Sequence, residues 1–220
     1  MQIALLGGTG DLGEGLALRL APTDAAVTVG SRDPDRAADR ATAYEQTLAE
    51  HGTPASITGA ANPAAAADAD LVVLAVPAYH LADTIETVAN QLGDAILVSP
   101  AVGMQGTDTG LSYNPPGIGS VTELAAASAP DETPVIGAFH NLAAGRLATL
   151  DAELGWDVPV VGNDPNAKQA VLELLASVEG LHGLDAGGLA NAAEIEALTP
   201  LLINLAANNE RLHNLGVSFH

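Results

Sequence analysis

Hydrophobic positions fall along this chain in two alternating rhythms. Gln2 to Leu6 reads as a short buried strand, after which Leu12, Leu16, Ala17 and Leu20 recur at helical spacing. The same pairing then repeats. Ala26 to Gly30 predicts a second strand and the polar stretch from Asp33 to His51 a helix; Ala55 to Thr58 predicts a short third strand, and Asn62-Pro63 with the alanines after it a short helix. Leu71 to Val76 is a strongly apolar strand ended by Pro77, Leu81 to Leu92 has helical spacing, and Ala95 to Val98 returns as a strand stopped by Pro100. A helix from Val121 to Ser128 leads to a strand from Pro134 to Ala138. The last third holds an apolar strand at Val158 to Val161, a helix from Asn166 to Val178 and a long apolar helix after Asn191. Such alternation predicts an α/β fold in which helices wrap a mostly parallel sheet. The stretch from Gly103 to Gly119, rich in Gly, Pro, Ser and Asn, predicts a long loop near the carboxyl ends of the strands, where loops often carry function.

The first strand-to-helix turn holds a run of bare backbone, Gly7-Gly8-Thr9-Gly10-Asp11-Leu12-Gly13. In that setting the spacing Gly8-x-Gly10-x-x-Gly13 supplies a tight turn, a close backbone approach to a pyrophosphate, and close packing of helix on strand. The anion then rests on the helix N-terminus. A dinucleotide is the leading candidate, against the plainer alternative of an ordinary loop with glycines at its tight positions. Asp11 places a carboxylate beside the expected phosphates, although an acidic residue in a first helical turn also suits the helix dipole.

The end of the second strand decides which dinucleotide. An NAD-binding protein carries Asp or Glu there for the ribose 2′-hydroxyl; this chain has Gly30-Ser31-Arg32. A hydroxyl followed by a guanidinium suits a 2′-phosphate, and Arg36, one helical turn on, can face the same anion. NADP is the better reading. That Arg32 and Arg36 are solvated charges paired with Asp33 or Asp35 stays open at this point.

Charge narrows the partners further. The chain carries 27 acidic residues against seven basic ones, with Lys168 its only lysine, so nucleic acid is a poor match for the surface. The imbalance predicts a surface adapted to concentrated salt, where self-repulsion is screened. The 220 residues, 48% of them apolar, are enough for one sizeable core, and no apolar stretch approaches the length of a bilayer span. A soluble cytoplasmic protein is expected. Zero cysteines exclude disulfides and thiolate chemistry, and His51, His182, His213 and His220 show no ligand spacing, so no metal site is expected. A short-chain dehydrogenase needs a Tyr-x-x-x-Lys pair, but Leu48, Asp83 and Gly117 follow Tyr44, Tyr79 and Tyr113 at that spacing. His140 and His80 each lie just past a strand end, where either a proton-transfer role or a hydrogen-bonded structural role fits.

Several segments together resemble the coenzyme F420-dependent NADP oxidoreductases: GGTGDLGEGLALRLA, VGSR before Asp33, SITG at Ser56 to Gly59, AAGRLATLD at Ala143 to Asp151, WDVPVVGND at Trp156 to Asp164, and GLDAGGLANAAEIEALTPLLINL from Gly183 to Leu205. The likeness spans nearly the whole chain. It implies a Rossmann-like, doubly wound sheet with a small C-terminal α/β extension, divided as residues 1–140 for NADP and 141–220 for closing the deazaflavin pocket, or else continuous over 1–220. It also implies direct hydride transfer between NADP(H) and the deazaflavin coenzyme F420, with no catalytic side chain. By the same likeness Thr9, Gly10, Asp11 and Leu12, between the spaced glycines Gly8 and Gly13, form the pyrophosphate turn, Ser31, Arg32 and Arg36 the 2′-phosphate clamp, and Val76, Pro77, Ser99 and Ala138 the lining beside ribose and nicotinamide. Leu189, Ala190 and Asn191 border the deazaflavin. Asp11 departs from the neutral amide of the family, and Arg36 from its usual lysine. The apolar stretch around Leu198 to Leu205 caps the pocket or buries a homodimer seam. An NADPH-dependent reductase of another small substrate or metal ion, and a non-catalytic NADP-binding redox sensor, are the competing readings.

Overall fold

The computed structural model describes residues 1–220. The first unit is β1 (Gln2–Leu6) and α1 (Asp11–Leu20), followed by β2 (Ala26–Ser31), α2 (Pro34–Glu50), β3 (Ile57–Ala61), α3 (Asn62–Ala67), β4 (Leu71–Leu74), α4 (Leu81–Val88) and β5 (Ile96–Ser99). A hairpin of β6 (Met104–Thr107) and β7 (Gly110–Tyr113) stands apart from the main sheet. After it come α5 (Val121–Ser128), β8 (Val135–Gly137), α6 (Ala144–Ala148), β9 (Trp156–Gly162), α7 (Pro165–Ala176), β10 (Leu181–Asp185), α8 (Ala192–Glu196) and α9 (Leu198–Ala207).

Eight strands form one sheet in the order β10-β9-β8-β5-β4-β1-β2-β3. Six run parallel; β9 turns antiparallel to β8 and β10 then follows β9 in parallel. This is the expected mostly parallel, doubly wound sheet. Both of its faces are covered, which is why β1 is apolar at consecutive positions: Ile3 and Leu5 join one buried cluster with α1, α2 and α7, while Ala4 and Leu6 join the other with α4 and α5.

Strand order fixes where ligands can sit. At β1 the chain first adds strands to one side (β2, β3) and then crosses to the other (β4, β5), leaving a crevice above the carboxyl ends. The carboxyl ends of β1, β2, β4, β5 and β8 share that edge. Because β9 and β10 are reversed, their carboxyl ends lie at the opposite edge.

Several boundaries differ from expectation. The loop expected from Gly103 to Gly119 contains the β6–β7 hairpin, whose first strand is exposed at every position and so lacks an alternating pattern. The strand beginning at Leu71 ends at Leu74 and not Val76, since the ladder to β1 stops there. The helix expected to Leu92 is α-helical only to Val88, then tightens into a 3₁₀ turn at Ala89–Gln91.

Candidate functional site

The glycine turn meets two of the three requirements of a phosphate cradle, the tight turn and the close packing of helix on strand. Gly7 takes φ +74, a left-handed conformation; a Cβ on Gly8 would fall 2.6 Å from the Leu5 carbonyl, and one on Gly13 would overlap the Gly8 backbone. Helix α1 therefore sits directly on β1. Unlike α2, α5 and α7, which Asp33, Ser120 and Asp164 cap, α1 starts at Gly10 with no side-chain cap, so its orphan N–H groups face the crevice without a resident partner. The turn is braced from below by the buried Tyr44 of α2, whose hydroxyl donates to the Gly8 carbonyl at 3.1 Å.

A cavity of about 410 Å³ opens beside this turn. Thr9, Gly10, Ser31, Arg32, Arg36, Val76 and Pro77 line it, bringing together seven of the residues singled out from the sequence. Neither arginine makes an ion pair. The Asp33 carboxylate, their nearest candidate in sequence, accepts from Asp35 N–H at 3.1 Å and Arg36 N–H at 3.3 Å as the cap of α2. Two unpaired guanidinium groups flank the mouth, so the surface-pair alternative loses its partner.

Other site candidates lie elsewhere. Gly8 and Gly13 are buried backbone contacts beneath the turn, Leu12 packs against the core, and Asp11 opens α1 exposed and outside the lining. Ser99 and Ala138 are fully buried at the carboxyl ends of β5 and β8, where the Ala138 N–H donates to the Ser99 carbonyl at 3.3 Å. Leu189, Ala190 and Asn191 follow the reversed β10. Leu189 there lines a surface cavity together with Pro130, Val135 and Asp164 at the amino end of β8, and the Asn191 amide donates to the Ala186 carbonyl at 2.7 Å. The reversal of β9 thus carries this segment to the far edge of the sheet from the glycine turn. The expected deazaflavin border is not brought to the crevice by this chain's own fold.

Sequence reasoning missed part of the first cavity. Asn62, only 6% exposed, opens α3 after the edge strand β3 and lines the cavity, its Oδ1 buried without a partner. Thr84 and Thr87 line it from α4, beside His80, which the sequence marks by its place past a strand end. An asparagine heading a helix reads from sequence as a cap, so nothing marked Asn62 as a ligand-facing group.

A second cavity, of about 400 Å³, opens past β8. His140, Asn141 and Ala144 supply one wall, Thr199, Leu202 and Ala206 of α9 another, and Leu215 of the C-terminal segment a third. Its wall is locked to α1: a Cβ on Gly15 would fall 2.6 Å from Leu147 Cβ, and Arg19 donates to the carbonyls of Leu147, Thr149 and Ala152 at 2.9, 2.7 and 3.1 Å. The C-terminal segment is held by Asp157, whose carboxylate accepts from Phe219 N–H at 2.6 Å while its own N–H donates to the Val217 carbonyl at 2.8 Å. Phe139, entering this wall, has φ +69, a strained setting for an aromatic residue of the kind that gathers at functional sites.

His140 is fully buried, and burial pushes its imidazole pKa down to about 3. It is neutral near pH 7, with one ring nitrogen protonated and the other bare. Tyr113 is moved the other way: burial and then the adjacent Glu196 raise its phenol above the ordinary value.

A glycine turn under an uncapped helix at a switch point, with unpaired arginines at the end of the second strand, defines a dinucleotide-binding α/β protein. Residues 2–103 match the family described as coenzyme F420-dependent NADP oxidoreductase. F420-dependent NADP reductases are similar over nearly the whole length: that of Methanocaldococcus jannaschii is 37% identical over 210 residues, 93% of this chain and 92% of the relative. That of Methanothermobacter thermautotrophicus is 36% identical over 220 residues, 99% and 94%. An Arthrobacter protein crystallised as a candidate F420-dependent NADP reductase superposes with a TM-score of 0.81 at 29% identity, covering 100% of this chain and 99% of that one. A Coxiella burnetii pyrroline-5-carboxylate reductase shares the fold alone, with a TM-score of 0.56 at 17% identity over 96% of this chain and 70% of its own. The chain belongs to the coenzyme F420-dependent NADP oxidoreductases.

Proposed function

We propose that this chain transfers hydride directly between NADP(H) and coenzyme F420, with NADP extending from the first cavity toward the carboxyl ends of β5 and β8 and the deazaflavin entering the second. The observation that carries the reading is the glycine turn with Arg32 and Arg36 unpaired at its side, because it fits a dinucleotide bearing a 2′-phosphate. The orphaned Asn62 Oδ1 in the same cavity fits a hydroxyl or amino donor of the adenosine half.

The two coenzymes supply the redox chemistry when bound, one giving and the other accepting the hydride. The chain's task is to hold and enclose. The α1 N-terminus and Thr9 bind the pyrophosphate, Ser31, Arg32 and Arg36 grip the 2′-phosphate, and Val76 and Pro77 exclude water beside the ribose. Gly8 and Gly13 shape the turn from below, Ser99 and Ala138 floor the nicotinamide side, and Asp11 and Leu12 flank the first turn of α1. The apolar wall of Leu202, Ala206 and Leu215 supports enclosure of the deazaflavin. A neutral His140 there supports a mechanism without a proton-storing side chain.

Finer points complete the reading. Leu201 and Leu205 leave an apolar face of α9 exposed while Leu202 and Ile203 line the cavity, which suits a homodimer seam beside the site. In such a pair the Leu189–Asn191 segment could border a neighbouring pocket from outside. Residues 1–140 serve NADP and 141–220 close the deazaflavin side. No helix is long and apolar enough to cross a membrane, in keeping with a cytoplasmic enzyme. Only Arg40–Glu14 and Lys168–Asp185 pair a Lys or Arg with a carboxylate, so most of the acidic surface is uncompensated, as in a protein adapted to concentrated salt. Mixing the protein with NADPH and oxidised F420 in concentrated potassium chloride tests the reading: loss of the deazaflavin absorbance supports it, and NADPH consumption only with another acceptor overturns it.

A further inference from the structure

The most densely bonded buried carboxylate in the fold lies outside everything assigned above. Glu196, the last residue of α8, is fully buried against the N-terminus of α5. Its Oε1 accepts from Thr122 N–H and from the Thr122 hydroxyl, both at 2.9 Å. Its Oε2 accepts from Val121 N–H at 3.0 Å and from the Tyr113 hydroxyl at 2.9 Å. Ser120 caps only the Glu123 N–H of α5, so Glu196 takes the two N–H groups that this cap leaves and accepts from two hydroxyls besides.

Donor and acceptor accounting then fixes a proton two residues away. A carboxylate ringed by four donors is itself acceptor only, so the single hydroxyl proton of Thr122 is committed to Glu196. The Thr122 oxygen also lies 3.2 Å from His140 Nε2, where it has only lone pairs left to offer. Nε2 must therefore carry the hydrogen. Full burial keeps the ring neutral, which leaves Nδ1 bare, and Nδ1 is buried with no partner in the protein. The backbone is pinned as firmly, since the Thr199 hydroxyl donates to the His140 carbonyl at 2.7 Å. A buried polar atom without a partner is costly unless something fills the role, and His140 lines the second cavity.

We propose that Glu196, acting through Thr122, is a positioning residue that fixes His140 as the Nε2–H tautomer and so presents Nδ1 as a hydrogen-bond acceptor to a ring N–H donor held in the second cavity. This rests on the reading of that cavity as the deazaflavin site. The deazaflavin ring carries such an N–H; the exocyclic carboxamide of nicotinamide is the competing donor, and the test separates the two. Through Tyr113 the same carboxylate also ties the β6–β7 hairpin to the site.

The test is ¹⁵N NMR of protein labelled in the histidine rings, with the His140 signals assigned by their loss in His140→Gln. In the wild-type protein without coenzyme, His140 is expected as a single neutral Nε2–H tautomer; an Nδ1–H tautomer or a charged ring near pH 7 overturns the proposal without any further variant. Thr122→Val keeps the backbone bonds to Glu196 but removes the hydroxyl bridge. It should mix the tautomers and raise the KM for F420 about fivefold, the worth of one hydrogen bond, leaving the KM for NADP in place. Thr122→Ser should restore both. A Thr122→Val protein that keeps the wild-type tautomer and KM contradicts the relay. Adding oxidised F420 alone should shift the Nδ1 resonance. If NADP alone shifts it and F420 does not, the deazaflavin assignment of the cavity falls while the tautomer assignment stands.

Discussion

The Tyr44 hydroxyl donates to the carbonyl of Gly8 at 3.1 Å, linking the middle of α2 to the turn on which the pyrophosphate is proposed to rest. Arg40 lies over the Tyr44 ring at 5.2 Å and pairs with Glu14 of α1 at 2.7 Å, so one helix braces both the turn and the helix that follows it. Tyr44→Phe removes this bond together with the one its oxygen accepts from Arg40 Nε at 3.3 Å, and leaves a buried carbonyl underbonded. The expected outcome is a loss of about 1–2 kcal/mol in stability, read by denaturant unfolding. NADP binding should weaken several-fold by calorimetry, with F420 binding unchanged.

Arg32 and Arg36 line the cavity and form no ion pair, although Asp83 shares the lining, so their charge is free for a phosphate. Arg32→Ala should weaken NADP about tenfold, the lower range for a charge-assisted bond at an exposed site, and leave NAD nearly unchanged. Calorimetric titration of both dinucleotides checks this; equal affinity of the unmutated protein for NADP and NAD contradicts the clamp.

His140 sets a pH dependence of stability. Its folded pKa near 3 lies below the ordinary value of 6.5, so between these limits the unfolded chain binds a proton that the folded chain refuses. Stability from this group is full above pH 6.5 and falls as pH falls, by at most about 1.4 kcal/mol per unit. Going from pH 7 to pH 5, the wild type should lose about 2 kcal/mol more than His140→Gln, a comparison that cancels the relief of surface repulsion common to both. Equal losses in the two proteins contradict a neutral buried ring.

The charge of −20 and the scarcity of ion pairs predict that the melting temperature rises from 50 mM to molar potassium chloride, where the Debye length falls to about 3 Å. Asp11, exposed at the start of α1, adds a local repulsion to an incoming anion. Asp11→Asn should lower the KM for NADP most at the low-salt end. A melting temperature that stays flat or falls with salt contradicts the adaptation.

What the sequence discloses follows from what local pattern can encode. The strand-to-helix turn at Gly7 to Gly13 is legible because its chemistry is contiguous: four glycines, an apolar strand before, helical spacing after. Ser31, Arg32 and Arg36, proposed as the clamp, fall on one short stretch of sequence and line one cavity in the fold. The hairpin at Met104 to Tyr113 is hidden because its strands are short and solvent-facing, and α6 because five residues carry no period. The second cavity draws on residues from Ala144, Thr199 and Leu215, which only the folded chain brings together. Most consequential is the reversal of β9. Its residues are buried at every position, a pattern that fits either strand direction, yet direction alone decides that Leu189 to Asn191 lie at the far edge of the sheet.

Hydride transfer without solvent exchange is the core of the account, and one isotope experiment addresses it. The protein is supplied with NADPH deuterated at the transferable position of the nicotinamide and with oxidised F420 in ordinary water, and the reduced deazaflavin is examined by mass spectrometry. Full retention of deuterium at the deazaflavin carbon that receives it is the predicted result. Reduced F420 without the label, or no reduction while NADPH is bound, would contradict direct transfer between the two coenzymes.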